Sequence, residues 1–201
     1  MISRVSTEKY AITQQKAVWG KTVDIDRSEL KEVMRVAKNA FTHTASERWI
    51  TSLLTSNNLL LSACRKDTNT KVGFAASEYH TDECHLVTAF IAQSEQNNGV
   101  YYMFNKLRIN DGLEEGFSIF TVTTQNPNVE RGLLKAMQYF IDKGNLSAFS
   151  LTRELKRRTL PKMLTPYIPK SPDESINSNY YSLNYKKGDA FRLTFSATRK
   201  K

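Results

Sequence analysis

Apolar positions change period twice along the chain. Leu30, Val33, Met34, Ala37, Ala40 and Phe41 recur every three or four residues, which predicts a one-sided helix from about Ser28 to Phe41. Asp26 or Ser28 is placed to accept its free first N–H groups. The preceding run Ala17 to Ile25 reads as a short strand. Trp49, Ile50, Leu53 and Leu54 repeat the helical spacing in a second helix from Ser46 to Asn57-Asn58. The period then shortens. Leu59 to Arg65, Val72 to Tyr79 and His85 to Ala92 are β-rich runs parted by polar turns, and they predict an antiparallel meander.

A polar turn, Ser94 to Gly99, precedes a helix beginning at Val100. The run Phe117 to Thr124 is β in composition, and a helical crossover into it implies a parallel neighbour. Pro127 suits a first helical turn, and Val129, Leu133, Leu134, Met137 and Phe140 form one face as far as Gly144. Beyond this the pattern predicts a helix over Ser150 to Leu164 and a proline-broken loop. Two closing strands follow, Tyr180 to Tyr185 and Ala190 to Ala197. The expectation is an α/β fold with a mixed, mostly antiparallel central sheet of about seven strands flanked by helices, in one domain over residues 1–201.

Composition narrows the class. With 201 residues, 40% of them hydrophobic, the chain can bury a core, and no apolar run approaches the roughly 18 residues of a membrane-spanning helix. No membrane insertion is expected. Only two cysteines occur, Cys64 and Cys84, without metal-ligand spacing, so no metal site is expected and a reducing, cytoplasmic setting fits. The net charge of +9 is local: residues 1–150 hold 17 Lys/Arg against 16 Asp/Glu, and residues 151–201 hold 12 against 4. Clusters at Arg153, Lys156, Arg157, Arg158 and at Arg199, Lys200, Lys201 fit either a solvated face or an acidic partner such as a nucleic acid.

The chemistry concentrates in the turn Gln96-Asn97-Asn98-Gly99 and the helix start Val100-Tyr101. A helix N-terminus offers free backbone N–H groups and the positive end of a dipole, and glycine lets an anion come close to the backbone. With this turn in place, the order of elements over residues 17 to 143 resembles the GNAT superfamily of N-acyltransferases, whose phosphate-binding signature Q/R-x-x-G-x-G/A is matched by Gln96-x-x-Gly99-x-Tyr101. The family's Asn after the next strand is matched by Asn126. The resemblance implies acetyl-CoA as co-substrate, held by Gln96, Asn97, Asn98, Gly99, Val100, Tyr101 and Asn126, and an amine acceptor of unknown identity.

Three positions depart from the family pattern. Tyr101 replaces the last small residue of the signature, where its ring either narrows the phosphate site or stacks on the ligand. Leu133 stands seven residues after Asn126, where many members carry a tyrosine acid. His85 stands eleven residues before Gln96, where some members carry a glutamate base, and an imidazole can take a proton from an amine. Glu78, Tyr79 and His80 are reserve candidates on the preceding strand, and Tyr139, Tyr167, Tyr180 and Tyr181 are candidate acids. The alternatives are a catalytically silent CoA- or partner-binding module of the same fold, and a nucleic-acid binder acting through the basic last quarter.

Overall fold

The structure, a computed structural model, describes residues 2–17, 21, 23, 25–40, 57–124, 127–156 and 190–200. These carry eight strands in a mostly antiparallel sheet together with three α-helices, so the α/β expectation holds with one strand more than the seven expected. They fall into two compact units, residues 1–80 with 85–108 and residues 81–84 with 109–201.

The first unit opens with strands that the sequence pattern did not disclose. β1 (Ile2–Ser6) and β2 (Tyr10–Lys16) form an antiparallel hairpin, with Val5 opposite Ile12. β2 then pairs with β3 (Leu59–Arg65), setting Tyr10 opposite Arg65 and Lys16 opposite Leu59. The strand expected over Ala17 to Ile25 is absent at its described positions 17, 21, 23 and 25. There the N–H groups of Ala17 and Val23 bond singly to Asn58 and Asn57 carbonyls, at 2.8 Å each, without a ladder. The helix expected from Ser46 lies outside the described residues.

α1 (Arg27–Ala40) starts where expected, and Asp26 is its cap. Asp26 Oδ1 accepts from the Ser28 hydroxyl at 2.6 Å and from the Ser28 and Glu29 N–H groups at 2.7 and 2.8 Å, and these bonds, the hydroxyl's above all, lower its carboxyl pKa. The meander follows as β3, β4 (Lys71–Tyr79) and β5 (Cys84–Ile91), with Leu61 opposite Ala75. The four residues between β4 and β5 are too few for a parallel crossover. Alternation along β3 sends Leu59, Leu61 and Ala63 into one core with Tyr10, Ile12, Val100 and Phe104. It sends Leu60 to the opposite face, against Phe74, Phe90 and the α1 residues Val33, Val36 and Ala37. Each Leu, Ile, Val or Phe side chain so buried stabilises by roughly 1.5–3 kcal/mol.

α2 (Val100–Glu114) starts directly after the polar turn, as the sequence predicts. In the second unit, β6 (Ile119–Thr124), β7 (Leu146–Lys156) and β8 (Ala190–Arg199) lie in the order β6-β8-β7, both pairs antiparallel. α3 (Pro127–Asp142) buries Leu133, Ala136, Met137 and Phe140, the face expected of it. Residues 150–156 are strand, not the helix expected over Ser150 to Leu164, and the expected strand at 180–185 lies outside the described residues. No helix among the described residues is long and apolar enough to cross a membrane.

The basic last quarter is less available than its composition implies. Arg153 points inward from β7, only 1% exposed, and its guanidinium grips Glu130 of α3 through two bonds at 3.0 and 2.6 Å. Arg192 binds both Glu83 oxygens at 2.8 and 2.9 Å. Arg199 donates to the Leu113 and Phe117 carbonyls at the end of α2. There Gly116, at φ +99°, closes the helix with the Phe117 N–H bonded back to the Gly112 carbonyl at 2.9 Å.

Candidate functional site

The predicted phosphate turn lies wholly within the first unit. β5 ends at Ile91, a single 3-10 turn occupies Gln93–Glu95, and Gln96 is extended, its side-chain amide donating to the Ile91 carbonyl at 3.3 Å. Asn97 and Gly99 both take left-handed backbone, at φ +65° and +81°. The Gly99 carbonyl accepts the first helical bond, from the Met103 N–H at 3.0 Å, so Gly99 is the helix cap. The N–H groups of Val100 and Tyr101 therefore have no acceptor within the helix, and they lie at the positive end of its dipole.

Two details fit an anion there. The first turn of α2 carries no acidic side chain. A Cβ on Gly99 would meet nothing within 4 Å, so the space before the backbone is open. Gln96, Asn97, Asn98 and Gly99 are exposed, whereas Val100 is buried and anchors the helix start in the core.

The question posed by Tyr101 has a geometric answer. Its ring packs on the core, and Asn105 and Arg108, one and two turns along the same helix face, are the polar groups beside its hydroxyl. Burial pushes its phenol pKa up, opposed by the Arg108 charge. Tyr101 thus offers the turn its backbone N–H and not its ring. Arg108, 1% exposed, donates to the Ala76 and Thr88 carbonyls at 3.2 and 3.0 Å and to Asn105 Oδ1, so a buried cation joins α2 to β4 and β5.

His85 stands half-buried near the start of β5. Six residues of extended strand, roughly 20 Å, part it from Ile91 before the turn, so the two candidate features do not touch. Its ring centroid lies 6.1 Å from that of His80, whose Nε2 is 3.5 Å from Glu78 Oε2, bringing two of the reserve candidates to the same end of the meander. Asn126, Tyr167, Tyr180 and Tyr181 lie outside the described residues. Leu133 is wholly buried, and Tyr139 packs edge-on to Phe140. Cys64 and Cys84 are free thiols, the first half-buried with its pKa raised by desolvation, the second buried. Among the described residues no group of three His, Cys, Asp or Glu is placed to hold a metal ion.

Glu95 was not singled out from the sequence, where it reads as part of a polar turn. Its side chain is 5% exposed and gathers four donors. Oε2 accepts from the Tyr10 hydroxyl at 2.5 Å, Lys9 Nζ at 3.2 Å and Asn98 Nδ2 at 3.4 Å, and Oε1 accepts from Arg65 at 3.1 Å. The Tyr10 bond above all holds the Glu95 carboxyl below its ordinary 4.5, and burial pushes the Tyr10 phenol up. A carboxyl depressed by folding contributes its full stability above the unfolded pKa and loses it as pH falls through the folded pKa. The urea midpoint should therefore drop on acidification below about 4.5, and Glu95→Gln should flatten that drop. An identical acid limb in the variant would remove Glu95 as its source.

No family model matches the chain, and no curated protein matches it in sequence. Solved structures do match in fold. The ribosomal-protein-S18-alanine N-acetyltransferase of Escherichia coli superposes with a TM-score of 0.56 at 12% identity, over 94% of this chain and 96% of that one. The ribosomal-protein-S5-alanine acetyltransferase of Vibrio fischeri gives 0.55 at 10% identity, over 98% and 97%. A GNAT-family protein of Desulfovibrio desulfuricans gives 0.54 at 12% identity, over 92% and 98%. With the strand order, the helix after β5 and the left-handed turn that opens it, these likenesses show that the chain has the GNAT acetyltransferase fold.

Proposed function

We propose that the chain is an acyl-CoA-dependent N-acyltransferase, acting as one domain over residues 1–201 and moving an acetyl group from acetyl-CoA to an amine. The observation that carries this reading is the left-handed Gly99 with open space before it, capping the N-terminus of α2, in a chain of GNAT fold. In this reading the backbone from Gln96 to Tyr101 binds the pyrophosphate, with Asn126 as a further contact. Acetyl-CoA supplies an acyl carbon activated as a thioester. His85 takes the proton that the acceptor ammonium must lose before its nitrogen can attack. The roughly 20 Å between turn and His85 is a span that an extended pantetheine arm can cover. Two free thiols fit a reducing, cytoplasmic setting.

Calorimetric titration with acetyl-CoA, followed by an amine panel with detection of free thiol, tests the reading. Gly99→Val should weaken CoA binding by about tenfold or more, because a β-branched residue strains at positive φ and its methyls enter the space before the amides. Unchanged affinity in a folded Gly99→Val protein would sink the assignment of this turn. A second reading, a silent CoA-binding module, is favoured by Leu133, which is wholly buried and can donate no proton where many relatives place an acid. Binding without thiol release across the panel would select it. The nucleic-acid reading loses Arg153 and Arg192 to internal ion pairs.

A further inference from the structure

Glu95 has no part in the chemistry above, yet it is the most heavily bonded carboxylate of the turn. It closes the 3-10 turn before the phosphate loop, its own N–H bonded to the Ala92 carbonyl at 2.8 Å. Its donors come from three separate stretches: Lys9 and Tyr10 from the first hairpin, Arg65 from the end of β3, and Asn98 from the loop. An ion held at 5% exposure is costly unless its charge and lone pairs are matched. Asn98 and Tyr10 alone could be met by a neutral glutamine. The matching of two cations calls for a carboxylate.

The two cations differ in what they have left to give. The Arg65 fork is already engaged, Nε and one terminal nitrogen with Asp67 and the other terminal nitrogen with Glu95. Lys9 is 47% exposed and carries three N–H donors. Its ammonium and the Asn98 side-chain amide reach the same oxygen, Glu95 Oε2, at 3.2 and 3.4 Å. A lysine cation therefore stands beside the phosphate loop, its flexible stem already fixed before any ligand arrives, which lowers the ordering cost of binding.

We propose that Glu95 is a positioning residue that pins Lys9 next to the loop, where Lys9 takes the 3′-phosphate of CoA and makes binding selective for the 3′-phosphorylated nucleotide. This rests on the CoA reading above: with the pyrophosphate on the α2 amides, the 3′-phosphate is the other anion of the same nucleotide. Arg65 anchors Glu95 and is not itself the ligand's partner.

Calorimetry with CoA and with dephospho-CoA separates this inference from the reading it rests on. The wild-type protein should bind CoA about tenfold more tightly than dephospho-CoA, as one charge-assisted contact predicts. Lys9→Met, a change on a half-exposed hairpin residue, should abolish that preference while leaving dephospho-CoA affinity within about twofold. Glu95→Gln should abolish it too, although Lys9 is still present, an outcome that a purely structural role would not give. If Glu95→Gln fails to fold, the Lys9→Met ratio still decides. Equal affinity for both ligands in the wild-type protein, or a preference kept in Lys9→Met, overturns the inference and leaves the CoA reading standing. Absence of binding to either ligand overturns the CoA reading itself.

Discussion

Arg153→Met should cost about 3–5 kcal/mol of folding stability, because it leaves Glu130 as a buried charge with its guanidinium partner gone. The two side chains are 1% and 2% exposed, so water cannot replace the lost partner. The double change Arg153→Met with Glu130→Leu should recover much of the loss, since an apolar pair of similar volume avoids desolvating either ion. Urea unfolding of Arg153→Met, of Glu130→Leu and of the double variant measures this. If both single variants lie within about 1 kcal/mol of wild type, the pair behaves energetically as an exposed one and the buried-charge argument fails.

His85→Ala should lower turnover by about 100- to 10,000-fold while sparing CoA affinity, the range typical of a general base. The wild-type rate should rise with pH as the imidazole, which titrates near 6.5 in ordinary surroundings, loses its proton. His85→Ala should flatten that rise. Full activity in a folded variant, or a pH profile unmoved by it, would leave His85 as a strand residue and shift weight to the binding-module reading.

Elements held by their own periodicity were legible in the sequence. α1 and α3 bury the stripes read from Val33 to Ala37 and from Leu133 to Phe140, and the three meander runs became β3, β4 and β5 within a residue or so. Elements held by distant partners were not. β2 carries the polar run Thr13-Gln14-Gln15-Lys16 and is a strand because it pairs with β3, far along the chain. β7 hides its inward side because one inward residue is Arg153, whose partner Glu130 lies on a helix. The candidate site divides in the same way. The turn at Gln96 to Gly99 is local chemistry and could be read directly. Glu95 acquires meaning only when Tyr10, 85 residues away, and Arg65, 30 residues away, fold onto it.

The state of the two cysteines bears on how turnover can be watched. Disulfide-exchange reagents report the thiolate, and desolvation raises the Cys64 pKa and so keeps its thiolate scarce, while Cys84 is sealed in the core. A colorimetric reagent added to the native protein thus meets two slow protein thiols. A CoA thiol set free into water reacts far sooner, and the protein's own background stays low enough for weak thiol release to be seen.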